Sequence, residues 1–397
     1  MTPAKFEVLN NRQLDVVAER KDAGQPAPIF ATPYVWKEPT KIPLRKYLYG
    51  KSLIRKFVSV IIGQTGLGKS TLSVAETLAQ VSAKGLLGVP VPEPLRVWLW
   101  NLEDPQEETE RKLAAATLHY GLTAQDIGDR LFVDSGRDQP LVIAEMTRNG
   151  ATIVHPVVDS LVAELIRLKI DIIKIDPFVS SHTVPENDNG AMDMVVKEWG
   201  KVADRANCAV ELSHHPRKTN GSEVTAEDSR GGSSFASGTR VKRPLNRMTP
   251  AEATQAGVKN NWLYFRILPD TNLAPPADKS DWFKLVSVDL GNGPNGGDSV
   301  GVVTKWEWPN HLAGVTASDF DKVAAVIRGD KWRQSPQSSK WVGNAVARAL
   351  DLDPENKGDK AKIIAMLKFW LSAGSLIEVE GKDEKREIKK FIEVNGD

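Results

Sequence analysis

Cysteine is nearly missing from this chain. Cys208 is the only one in 397 residues, so no disulfide can close within it, and the composition is compatible with a reducing cytoplasm. An excess of either charge is missing too. Fifty-two Lys and Arg stand against 51 Asp and Glu, for a formal net charge of +1. Net charge therefore forces no polyanionic partner, and it leaves room for a local basic groove. No uninterrupted apolar stretch is long enough to span a bilayer, and residues 1–20 mix charged with apolar side chains, without the core of a signal peptide. The expectation is a soluble cytoplasmic protein with no membrane partner. Apolar residues make up 41% of the chain, enough for one large α/β domain and a smaller one.

Strand and helix patterns alternate through the first half. Residues 1–50 read as a loosely structured entry segment carrying Pro26, Pro28, Pro33, Pro39 and Pro43. Buried strands are expected at 57–62, 95–102, 131–133, 170–175 and 208–213, with helices at 70–83, 103–120, 157–168 and 192–206. That alternation predicts a mostly parallel sheet covered on both faces. After residue 216 a polar Gly/Ser/Thr-rich loop follows. Strand-like segments at 240–245, 262–268, 282–289 and 300–308 then predict an antiparallel extension. Helices at 317–328, 340–350 and 360–373 and a terminal hairpin at 375–393 resemble a winged helix. The expected domains are residues 1–50, 51–310 and 311–397.

The run Gly63-Gln64-Thr65-Gly66-Leu67-Gly68-Lys69-Ser70, continued by Thr71, lies between a predicted strand and a predicted helix. That is the context a Walker A phosphate loop requires. Its glycines let backbone N–H groups turn toward phosphate oxygens. Lys69 supplies a positive charge at the β/γ oxygens, Ser70 offers a hydroxyl to Mg²⁺, and the helix N-terminus adds its partial charge. A nucleoside triphosphate, ATP with Mg²⁺, is the expected ligand. Asp176 closes the strand 172–176 at the edge where open α/β sheets bind ligands, and is the expected second holder of Mg²⁺.

Hydrolysis needs a group that orients or deprotonates water. Glu103 and Asp104 close another strand. Glu103 is the candidate base, whereas Asp104 can instead cap the next helix, with Pro105 at its first position. His214 and His215 close the strand 210–213. With one cysteine in the chain and no further histidine nearby, they do not make a zinc-like spacing. His215 is the candidate γ-phosphate sensor, and His214 the fallback. Arg217, Lys218, Arg230, Arg240, Lys242 and Arg243 follow, as a basic loop and strand able to track a phosphate backbone, or simply solvated.

These motifs, in this order, resemble the RecA-like ATPases of the plasmid RepA replicative-helicase type. The likeness covers about residues 45–310. It includes Asn101-Leu102-Glu103-Asp104-Pro105, Ile175-Asp176-Pro177-Phe178, Glu186-Asn187-Asp188-Asn189, His214-His215, Arg230-Gly231-Gly232-Ser233-Ser234, Met248-Thr249-Pro250-Ala251-Glu252-Ala253 and Asn272-Leu273-Ala274-Pro275-Pro276. The resemblance implies a RecA-like fold and a homo-oligomer, a hexameric ring with ATP sites between subunits. It also implies movement on single-stranded DNA. Lys69, Ser70, Glu103, Asp176 and His215 would take the family's roles, with Arg240 as the arginine finger reaching a neighbour's nucleotide. One position departs from the pattern. Asp270 stands where the family often has a lysine, which would leave the trans role to Arg240, Arg243 or Arg266. The same core also serves DNA-binding or regulatory ATPases, such as loaders and recombination mediators, that do not unwind.

Overall fold

The computed structural model describes residues 29–217, 222–225, 227–228, 238–271, 273, 280–383 and 386–396. The chain divides into two units, residues 1–44 and 45–397. Among the described residues of the first, the regular structure is a 3₁₀ turn at Pro39–Lys41.

The second unit opens with a short hairpin, β1 (Tyr47–Tyr49) and β2 (Leu53–Ile54). β3 (Val58–Ile62) then leads through the glycine loop into α1 (Lys69–Ser82). The alternation continues with β4 (Val97–Asn101), α2 (Gln106–Tyr120), the one-turn α3 (Ala124–Ile127) and β5 (Leu131–Ser135). A small hairpin, β6 (Ala144–Thr147) and β7 (Gly150–Ile153), precedes α4 (His155–Arg167). Next come β8 (Ile172–Asp176), α5 (Asn189–Arg205), β9 (Ala209–His214) and β10 (Val241–Arg247). β3, β4, β8 and β9 are buried at every position, as parallel strands covered on both faces must be. α5 shows how a helix supplies that cover. The Asp188 carboxylate accepts the N–H groups of Gly190 and Ala191 at its start, and Met192, Val195 and Trp199 form its buried stripe.

Beyond β10 the chain turns back through α6 (Pro250–Ala256), which a Thr249–Glu252 capping box starts. β11 (Tyr264–Ile267), β13 (Asp281–Asp289) and β14 (Ser299–Trp306) then add antiparallel strands, and the short β12 (Asp270–Thr271) pairs with β10. The ten-stranded sheet runs β14-β13-β11-β10-β3-β9-β8-β4-β5, its second part parallel from β10 to β5. This is the mostly parallel sheet with an antiparallel extension that the sequence predicts.

The end of the chain forms α7 (Ala317–Arg328), β15 (Trp332–Arg333), α8 (Val342–Leu350), α9 (Lys357–Ser372), β16 (Leu376–Lys382) and β17 (Ile388–Val394). Its antiparallel sheet runs β15-β17-β16, and its core gathers Val323, Ile327, Val346, Ile363, Trp370 and Ile392. Helix, strand, two helices and hairpin follow one another as in a winged helix. This module meets α6 backbone to backbone: a Cβ on Gly257 would lie 2.8 Å from the Gly358 Cα.

Local differences from the sequence reading have simple causes. β6 exposes three of its four residues and β7 fully buries none, so neither has an apolar run. α6 spans 7 residues, too few to show a helical period. Among the described residues, no helix is long and apolar enough to cross a membrane. Lys218, Arg230 to Ser234, Asn272 and 274–276 lie outside the described residues.

Candidate nucleotide site

The parallel strands set the site by their direction. β3, β4, β8 and β9 all end at one edge of the sheet, and the phosphate loop, Glu103, Asp176 and the histidines follow those ends. Gly66 and Gly68 hold φ of +74° and +97°, left-handed values that glycine adopts without cost, and Gly68 is the N-cap of α1. Lys69 is buried. Its Nζ donates to the Gly63 carbonyl at 2.6 Å and the Gln64 carbonyl at 3.1 Å, so it closes the loop upon itself. Burial pushes the ammonium down to about 8, against the pull of the Asp176 and Glu103 carboxylates.

His215 faces this loop. Its Nδ1 lies 3.4 Å from Lys69 Nζ and 3.5 Å from Thr65 Oγ1. His214 points the other way. It is buried edge-on to Phe178, with ring centroids 5.5 Å apart, and its carbonyl accepts the Gly63 N–H. Of the tandem pair, His215 is the one the fold presents to the glycine loop.

Glu103 is exposed at the end of β4, where its carboxylate accepts from Ser180 Oγ at 3.3 Å. Asn101 shapes this corner. Its Oδ1 accepts the N–H groups of Glu103 and Asp104, at 2.9 and 2.8 Å. Asp104 does not cap α2, whose N-cap is Pro105 with no side-chain cap bond. Its carboxylate instead accepts from Lys112 at 3.1 Å and from Asn101 at 3.2 Å, which leaves Glu103 as the outward-facing acid. Gly136 backs the corner closely. Its N–H donates to the Asn101 carbonyl, and a Cβ there would meet the Leu102 Cα and O at 2.7 Å. Gly136 carries no chemical signal in the sequence, and Asn101 only its place in the acid-pair run; the meeting of β4 with the end of β5 shows what they do.

A hydrated Mg²⁺ suits the residues around Asp176. The ion usually takes one or two protein oxygens, phosphate oxygens and several waters. Asp176 and the Ser70 hydroxyl would supply the protein oxygens. Beside Asp176, on the next strand, the Ser213 hydroxyl is buried and has no hydrogen-bond partner among the described residues, so it is available to a water of that shell. Bound there, Mg²⁺ would neutralise charge on the phosphates.

The arginines divide differently from expectation. The Arg240 N–H donates to the Val58 carbonyl, where β3 begins. That is the opposite edge of the sheet, about 16 Å from the phosphate loop at the usual rise per residue. Within one subunit the fold does not bring Arg240 to Lys69. Arg243 is buried on Glu76 and Glu211 and cannot reach out of the sheet. Arg266 is held by Glu223 and Glu252 and lies over the Trp282 ring. The departure at Asp270 is matched locally, since its carboxylate lies 3.6 Å from Lys242 Nζ. Arg247, which the sequence reading passes over, closes β10 at the phosphate edge. Its guanidinium lies 3.5 Å from the Gly66 carbonyl and 3.3 Å from that of Trp262.

Comparison with known families agrees with this geometry. Residues 26–221 match the AAA domain family model. No curated protein matches the chain. Among solved structures, the chain is similar to one titled "Crystal structure of the RadB recombinase", at 13% identity and a TM-score of 0.39, over 58% of this chain and 88% of that one.

Proposed function

We propose that this ATPase works as a homo-oligomer, a hexameric ring, that drives a DNA helicase or translocase along single-stranded DNA. The observation that carries the reading is the incomplete charge around the phosphate loop. Lys69, Glu103, Asp176 and His215 stand at one edge of the sheet, so a single subunit holds phosphate, metal and base. Arg240 stands at the other edge, out of reach of this site, and in our reading it serves a nucleotide bound to a second copy. A site shared between subunits couples hydrolysis to the movement of one subunit against the next, which is what a ring motor requires. The order of the motifs, from the glycine loop through the acid pair to the tandem histidines, supports the same reading.

In the mechanism, Lys69 and the N–H groups of the loop hold the triphosphate. Glu103 takes a proton from the attacking water, and His215 registers the γ-phosphate against Lys69 and Thr65. The deciding assay is strand displacement on a forked duplex by the wild type and by Lys69→Ala. Wild type should unwind with ATP, and the variant should not. Hydrolysis stimulated by DNA without unwinding or movement refutes the motor and leaves a DNA-binding regulatory ATPase. Hydrolysis indifferent to DNA removes both.

A further inference from the structure

Beneath the nucleotide site lies a group of charges that the chemistry above does not use. Glu76 on α1, Lys174 on β8, Glu211 on β9 and Arg243 on β10 are each 3% exposed or less. Lys174 Nζ lies 3.3 Å from the Glu211 carboxylate and 3.8 Å from that of Glu76, and donates to the Ser73 carbonyl. The Arg243 guanidinium donates to Glu211 at 2.9 Å and to both oxygens of Glu76, one of them at 2.9 Å. Two cations and two anions thus close a neutral network, and burial makes each of them dependent on the others.

Its placement follows from register. Lys174 is level with Glu211, and Glu211 with Ser59 of β3. Arg243 and Glu211 sit on strands with β3 between them, Arg243 level with Ile61 and Glu211 with Ser59, and the guanidinium reaches across β3 to the carboxylate. Side chains two apart on a strand share a face, and helix residues four and seven apart share a stripe. Asp176 follows Lys174 by two residues, His215 follows Glu211 by four, and Arg247 follows Arg243 by four. On α1, Lys69, Ser73 and Glu76 form one stripe. α1, β8, β9 and β10 each deliver a group to the phosphate edge and carry one member of the network a short step below it; β4, which delivers Glu103, carries none.

We propose that Glu76, Lys174, Glu211 and Arg243 are positioning residues for hydrolysis. They lock the phosphate-loop helix in register with the strands that bear Asp176, His215 and Arg247. The backbone ladders already set the strands against one another; the paired charges add a specific tie between those strands and α1, because a shift of the helix leaves an unpaired buried charge. The proposal rests on the ATPase reading and deepens it.

The test uses the full chain and two variants. Lys174→Met/Glu211→Gln removes one charge of each sign and leaves the Arg243–Glu76 pair. Arg243→Lys keeps the charge and loses the fork that spans two carboxylates. Steady-state ATPase, binding of a fluorescent ATP analogue and thermal melting are measured together, well below the melting temperature. Both variants should bind the analogue within about threefold of wild type and lose about tenfold or more in kcat, as misplaced catalytic groups do. The Mg²⁺ concentration needed for half-maximal rate should rise. Variants that melt earlier yet keep kcat within about twofold of wild type overturn the proposal, because the network then serves stability alone. So does failure of both variants to fold, which makes it a folding element. A wild type without ATPase activity refutes the ATPase reading instead, so the two failures are distinguishable.

Discussion

Replacing Gly136 with alanine adds one methyl group at the back of the corner that holds Glu103. The new carbon would lie 2.7 Å from the Leu102 Cα and carbonyl oxygen and 3.0 Å from its carbonyl carbon. Carbon atoms in contact settle at about 3.5–4.0 Å, so Leu102 must retreat by about 1 Å. The obstacle is backbone, and no rotamer relieves it. Glu103 is the next residue, and its N–H is pinned by Asn101 Oδ1, so the displacement passes straight into the candidate base. Overpacking of this kind costs about 1–3 kcal/mol of stability. A misplacement of about 1 Å costs on the order of 10²-fold in rate. The phosphate loop lies on another strand and is untouched. Gly136→Ala should therefore bind ATP as wild type does, melt a few degrees lower and hydrolyse about 100-fold more slowly. Single-turnover hydrolysis with an independent nucleotide-binding measurement checks it. A wild-type single-turnover rate in a folded Gly136→Ala protein refutes both the tightness of the corner and the role given to Glu103.

Further outcomes follow from the same geometry. Glu103→Gln should retain nucleotide and lose about 10²–10⁴-fold in turnover, read by phosphate release; full residual activity removes Glu103 as the base. Arg240→Ala should depress hydrolysis while isolated subunits still bind nucleotide, and mixing it with Glu103→Gln subunits should restore some activity. No rescue at any ratio counts against Arg240 acting in trans, and Arg247→Ala tested alongside shows whether the arginine at the phosphate edge carries that role. Burial pushes the Cys208 thiol up to about 12. The folded chain thus keeps a proton that the unfolded chain sheds above about pH 9, and stability falls as pH rises through that window, by at most about 1.4 kcal/mol per pH unit. Chemical denaturation at pH 8 and pH 10 should show wild type losing more stability, or gaining less, than Cys208→Ala, the contributions of Lys69 and of the buried tyrosines being common to both; equal slopes for the two proteins reject it.

Much of the fold is legible because parallel strands are buried on both faces and announce themselves as apolar runs. β3, β8 and the helices that follow them are found this way, and the glycine loop needs only its own spacing. The site is harder where function depends on register. The polar Asn246 and Arg247 argue for a strand ending at Leu245, yet β10 continues through both and so carries Arg247 to the phosphate edge. Arg240 looks well placed in one dimension, but parallel pairing with β3 puts it at the opposite edge. The buried charges mislead most. A lysine within Ile172-Ile173-Lys174-Ile175, or a glutamate at position 76 of an amphipathic helix, normally marks the solvent side. Only the joining of four elements shows that Lys174 and Glu76 have replaced water with each other.

The contact between α6 and the C-terminal module has a mechanical consequence. α6 follows directly on the end of β10, the strand that carries Arg247 to the phosphate loop, and at Gly257 it touches Gly358 with no side chain between. A joint made of two bare backbones has no rotamers to take up slack. A tilt of the strand end would press on the C-terminal module at this point. Gly257 is thus a bearing: a bulky residue there acts as a wedge between drive and load, and a label on α9 becomes a pointer for events at the phosphate loop.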